Sequence, residues 1–265
     1  MNHRQLSFMR EVGEPGGDSP AKQIDVIEPA GEALVVDGGQ IPGSPGAPAF
    51  TLRRIDPSPI PVVLAVPHAG RGYARTLLDR MRHPTFAPPR LEDRYVDLIG
   101  REVARRTGAA LLVAHAPRAL IDLNRATEDV DWDMVGPCPD ASSLRRGPKM
   151  LGLASRARNG LGLVPRRLPG LGELWNRRMD HRELEERIGC VHEPYHALLA
   201  QTLAEVRDRW GAALLIDLHS MPPLGKGVGF ASPQFVVGDR FGAACDGPLV
   251  AARFYDDVEA PVDRS

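Results

Sequence analysis

At 265 residues, with 43% hydrophobic and 25% charged side chains, the chain is long enough for one large α/β domain with a substantial core. A formal net charge of -1 excludes both the basic surface that nucleic acid demands and the acidic excess of a solvating chain, leaving small molecules as the expected partners. No stretch approaches the roughly 18 apolar residues of a membrane helix, the N-terminus lacks a signal-peptide core, and Cys138, Cys190 and Cys245 form neither a disulfide framework nor a thiolate zinc site, so a soluble, cytoplasmic protein is expected.

Residues 1–58 carry Pro and Gly in clusters (Glu14 to Gly17, Ile41 to Gly46) and one short strand pattern, Ala33 to Val36. Such a segment buries little apolar surface and reads as a loosely ordered arm, with at most an edge strand or hairpin. The compact domain is expected over 59–265, beginning with the strand Val62 to Val66. That strand runs into Pro67-His68-Ala69-Gly70-Arg71-Gly72-Tyr73, whose glycines let the backbone pass close to a ligand. A short helix follows over Arg75 to Met81. Spacing predicts another from about Glu92, with Tyr95, Leu98, Ile99 and Val103 in phase and Gly108 just past its end. Glu92 and Asp93 would then sit in its first turn, where carboxylates complement the helix dipole.

Ala109 to Ala114 reads as a second buried strand. It leads into His115 to Arg125, where alternation places Arg118, Asp122 and Asn124 on one side of an extended segment. Polar groups so placed are costly unless they bind each other or a ligand. Residues 131–169 are rich in Gly, Pro and Arg and read as a long excursion over the active face. The longest helical signal spans about Gly172 to Trp210, with Ile188, Val191, Tyr195, Leu198, Thr202, Val206 and Trp210 as its stripe. Pro194 should kink it, and Gly211 ends it. Ala212 to Asp217 has the profile of a buried strand that stops at His219-Ser220-Met221-Pro222-Pro223. Gln234 to Val237 is a further strand candidate.

Two strands thus deliver one histidine each, His68 and His219, at their carboxyl ends, where open α/β sheets place ligands. With a carboxylate from Glu92-Asp93 they would supply the three N or O donors of a catalytic zinc ion that keeps one position for water. Asp217 could hold His219 through its second ring nitrogen or point to the other face of the strand. Arg71, Arg118 and Arg125 are candidates for pairing with an anionic substrate. Tyr195 and His196 could provide a proton donor.

The blocks PHAGRGY (67–73), EDRYVDLI (92–99), APRALIDLNRATE (116–128), GLGLVPRR (160–167), EPYHALL (193–199), LLIDLHSMPP (214–223) and VVGDRFGAACD (236–246) occur together and in order. In this the chain resembles the N-formylglutamate amidohydrolase family over roughly Pro61 to Asp246. The resemblance implies a mixed central sheet flanked by helices, like that of zinc carboxypeptidases, and a metal-dependent hydrolase that cleaves N-formyl-L-glutamate to formate and glutamate in histidine breakdown. It implies Zn2+, or another divalent metal, on His68, Asp93 and His219, with Glu92 as the substitute for Asp93. Arg118, Asn124 and Arg125 would hold the substrate carboxylates, and Tyr195 and His196 would line the pocket. The family continues through a late block whose glutamate looks like the general base. Asp256 to Ser265 resembles none of it, so the C-terminal part of the family domain is expected to be missing, with Glu193 or Asp239 as stand-in carboxylates. A deacylase of another N-acyl amino acid and a non-catalytic metal or metabolite binder are the alternatives.

Overall fold

The computed structural model describes residues 31–136, 156–222 and 236–238. Contacts divide the chain into Gln23–Met221 and a second unit, Met1–Lys22 with Pro222–Ser265. In the second unit only Pro222 and residues 236–238 are described, in neither helix nor strand; the remainder of the Gln234 to Val237 candidate, like Asp239, lies outside the described residues.

The larger unit begins with a hairpin, β1 (Glu32–Gly38) and β2 (Phe50–Asp56). The hairpin allowed for within the N-terminal segment is thus present over residues 32–56, where it forms part of the main sheet. Phe50 and Leu52 are buried, and β2 pairs antiparallel with β4 (Ala110–Ala114). Two inward side chains on a strand already hydrogen-bonded on both sides suffice to hold the hairpin on the sheet, despite the Pro-Gly loop between its strands.

β3 (Val62–Val66) pairs parallel with β4 on one side and with a strand near the chain's end, β7 (Leu214–Asp217), on the other. The sheet order is β1-β2-β4-β3-β7, a mixed sheet in which β3 and β4 are central. Side chains alternate across it. Val63, Ala110, Leu112 and Ala114 join the larger core with Tyr195 and Val206; Leu64, Val66, Leu111 and Val113 join a smaller one with Val96. Among the described residues β7 forms an edge. Leu214, Leu215 and Ile216 are 38–47% exposed, so this strand is not the buried one that its composition suggests.

Of the helices, α1 (Arg75–Leu78) and α2 (Pro88–Leu91) are single turns. α3 (Val96–Thr107) closes on the left-handed Gly108 as expected and packs on β3 and β4. Its Gly100 lies where an added Cβ would come within 3.1 Å of Leu111 and Val66. Glu92 and Asp93 are not in its first turn: Glu92 closes α2, and α3 starts only at Val96. Nor is Gly172 to Met179 helical. It holds β6 (Gly172–Glu173), which pairs with β5 (Arg167–Leu168), and an extended run whose Leu174, Trp175 and Met179 are buried at spacings that imitate a helix. The helical run starts at α4 (His181–Arg187), passes through a π-helical turn (Ile188–His192) and continues as α5 (Glu193–Trp210), with Pro194 in its first turn. No helix among the described residues is long and apolar enough to cross a membrane.

Candidate metal centre

The parallel register of β3 and β7 brings their carboxyl ends level, with Ala65 opposite Asp217 and the Leu218 amide on the Ala65 carbonyl at 2.8 Å. His68 and His219 follow these ends, and their ring centroids are 4.9 Å apart. Asp93 arrives from the α2–α3 connection, where its amide donates to the His68 carbonyl at 2.9 Å. Asp93 Oδ2 lies 3.0 Å from His219 Nδ1 and 3.7 Å from His68 Nδ1. One donor atom from each of these three residues falls within 4.8 Å of the others. Glu92 is engaged by Arg94 at 2.8 Å and stands outside the trio.

Both imidazoles turn Nδ1 toward Asp93, and each has its Nε2 on a carboxylate. His68 Nε2 meets Asp122 Oδ1 at 2.8 Å, and His219 Nε2 meets Asp217 Oδ2 at 3.1 Å. A carboxylate only accepts here, so Nε2 of each ring carries a hydrogen; Nδ1 of His219 also donates to Asp93, and it is this nitrogen that presents a lone pair to a cation once its proton leaves. Ser220 Oγ donates to Asp93 Oδ1 at 3.3 Å. Burial opposes charge on Asp93, but the hydrogen bond from His219 and the His68 ring beside it outweigh that effect and hold the carboxyl far below its usual range. Burial also opposes charge on His219; Asp217 and Asp93 outweigh it and push the imidazole up to about 9. Asp93 and His219 thus form an ion pair at the centre of the site, and the two nitrogens and one carboxylate oxygen are the donor set zinc takes when a position stays open for water.

Asp122, fully buried, was legible only as one member of a polar face. The segment around it is a turn rather than an extended strand. Its amide donates to the Leu163 carbonyl and its Oδ1 accepts the Asn124 amide at 2.9 Å. Oδ2 accepts from Arg118 Nε at 2.9 Å, with Arg125 Nε at 3.9 Å. Burial works against its charge, yet the His68 and Arg118 contacts bring the carboxyl down to about 2. The signal available in the sequence was a lone acid in the apolar run Ala119-Leu120-Ile121-Asp122-Leu123.

Of the expected substrate ligands, Arg118, Asn124 and Arg125 gather around Asp122, and the Asn124 amide stands 3.5 Å from His219 Nε2. Arg71 is directed instead to Asp97, at 3.3 Å. Tyr195 is enclosed in the core, edge-on to Phe50, and its hydroxyl has no hydrogen-bond partner among the described residues. His196 spends Nε2 on the Leu123 carbonyl at 3.0 Å. Glu193 is exposed at the start of α5.

The sequence model of the N-formylglutamate amidohydrolase family matches residues 60–259. The chain belongs to this family. Within the N-formylglutamate amidohydrolases it is 30% identical over 212 residues to the N-formylglutamate deformylase of Pseudomonas aeruginosa, and 28% identical over 198 residues to that of Pseudomonas putida. Each match covers 73% of this chain, which spans 64% of the length of either relative. The crystal structure of N-formylglutamate amidohydrolase from Ralstonia eutropha JMP134 superposes with a TM-score of 0.62 at 29% identity, covering 80% of this chain and 74% of that one. The mixed sheet with helices on both faces is thus the fold of a family member of known structure.

Proposed function

We propose that this chain is a metal-dependent amidohydrolase that releases formate from N-formyl-L-glutamate in histidine breakdown, with zinc held by His68, Asp93 and His219. The observation that carries this reading is the pair of inward-turned Nδ1 atoms, each fixed by a carboxylate on the far side of its ring, converging on Asp93. The names of the relatives supply the substrate class.

When bound, zinc would polarise the formyl carbonyl and lower the pKa of a water beside it. The protein's own part is positional. Asp122 and Asp217 keep a hydrogen on Nε2 of each ring, so that Nδ1, facing Asp93, is the nitrogen each neutral ring offers the cation. Arg118 spends Nε on Asp122 and can direct its terminal nitrogens at a carboxylate, the geometry in which guanidinium binds best. Arg125 and the Asn124 amide complete a polar rim for the glutamyl group. Arg71 has its charge answered by Asp97.

The test is bound zinc together with formate release from N-formyl-L-glutamate, for the protein and for Asp93→Ala and His219→Ala. One equivalent of zinc with turnover, both lost in the variants, supports the reading. Turnover only on other N-acyl amino acids replaces the substrate, zinc without turnover on any amide makes the chain a binder, and undiminished zinc in His219→Ala overturns the site.

A further inference from the structure

Three side chains from the α4–π–α5 run converge on one short loop. Arg187, at the end of α4, donates through a terminal nitrogen to the Leu120 carbonyl at 2.9 Å. His192, at the end of the π turn, faces the Arg125 carbonyl with Nε2 at 2.8 Å. His196, in the first turns of α5, faces the Leu123 carbonyl at 3.0 Å. A carbonyl oxygen only accepts, so both rings carry their hydrogen on Nε2. The three acceptors bracket Asp122, Asn124 and Arg125, the residues that orient His68 and form the polar rim.

Spacing makes the arrangement specific. In a regular α-helix residues 187 and 192, five apart, would diverge around the axis, whereas the i→i+5 turn over Ile188–His192 returns them to one side. The wider turn is fixed from outside, since the Gln40 amide donates to the Cys190 carbonyl at 2.9 Å. Arg187 is itself buried, stacked over Trp175 at 5.6 Å and paired with Glu183 at 2.8 Å. The rings of His192 and His196 lie 4.4 Å apart and brace each other. Burying a cation and one imidazole, and half-burying a second, to hold three carbonyls of one loop is a large outlay for a connection that needs only to be covered.

We infer that Arg187, His192 and His196 are positioning residues that clamp the Leu120–Arg125 loop in its ligand-holding conformation, and that His196 acts through this loop rather than as a proton donor. The inference rests on the proposed role of that loop in holding substrate, so its test includes one readout that needs no turnover.

Hydrogen–deuterium exchange of the intact protein is compared with His192→Leu and His196→Leu, which remove the donor, and with His192→Gln and His196→Gln, which keep one near the same place. Exchange over 118–126 should rise in the Leu variants and return toward the parent in the Gln variants. In formate release the Leu variants should raise KM by about tenfold or more, the usual cost of disturbing a group behind a ligand contact, with a smaller change in kcat. Unchanged exchange in folded Leu variants overturns the clamp, and so does a kcat loss without a KM change in His196→Leu, which would make His196 a proton donor. A parent protein that binds zinc without turnover refutes the proposed activity alone, because the exchange comparison still decides the clamp.

Discussion

His68 and Asp122 are joined by a 2.8 Å bond from Nε2 to Oδ1 inside the core, and this bond settles which nitrogen of His68 faces Asp93. Asp122→Asn keeps the volume but takes away the charge and one acceptor. Zinc affinity should fall by about 10–100-fold, as is usual when the partner of a metal-bound imidazole is altered. Asp122→Ala should additionally cost about 1–3 kcal/mol, because the buried His68 ring N–H would be left without an acceptor and the part-exposed Arg118 without its counter-ion. Zinc titration and denaturant unfolding of the two variants check this pair of outcomes.

Cation binding should depend on pH through His219. Its imidazole is held protonated up to about pH 9 by Asp217 and Asp93, against the effect of burial. A metal needs the neutral ring, so below that value a proton must leave for the cation to enter. Affinity should rise with pH from 6 to 9, with this group contributing up to about tenfold per pH unit. Calorimetry in buffers of different ionisation enthalpy should register proton release. A flat affinity over that range would contradict the assignment.

Gly39→Ala should be costly although it lies far from Asp93 in sequence. Gly39 has φ +58, and an added Cβ would fall 2.6 Å from the Cys190 carbonyl oxygen and 2.9 Å from Ala49 Cβ. Left-handed backbone and these close approaches, with a third to the Phe50 ring at 2.9 Å, should together cost about 1–3 kcal/mol. The loss should be measurable in a urea titration, with faster amide exchange over Ile188–His192.

Tyr195→Phe separates a structural from a chemical role for the tyrosine. Burial pushes its hydroxyl pKa far upward, and the group has no partner among the described residues. Removing it should leave stability unchanged or raise it by up to about 1 kcal/mol, since no hydrogen bond is lost. Turnover should stay within about twofold of the parent; a drop of about 10²-fold or more would be the mark of proton transfer by that hydroxyl.

The sequence was most legible where local pattern and tertiary role coincide. β3, β4 and α3 are short apolar or amphipathic runs with glycine or proline at their ends, and the histidines after β3 and β7 stand out because they interrupt such runs. Of the hairpin, the Ala33 to Val36 pattern marked β1, whereas β2 was obscured by the Pro-Gly loop before it and is held by its pairing with β4. Asp93 was found without its setting. It is placed by a main-chain bond to His68, a contact across 25 positions that periodicity does not encode. Asp122 looked like one of an alternating row because a turn and a strand of five residues can present the same polar spacing. Likewise Leu174, Trp175 and Met179 imitated the first turns of a helix, until the positive φ of Gly172 and the β5–β6 pairing showed an extended chain.

The two histidines of the centre differ in how firmly they are carried. His68 follows β3, flanked by strands on both sides, whereas His219 follows β7, whose outer side has no partner among the described residues. An ion shared between them would act as a rivet between the interior and the margin of the sheet, so chelation should be felt first as fraying at Leu214–Asp217. Catalytic readiness and the integrity of that margin would then rise and fall together.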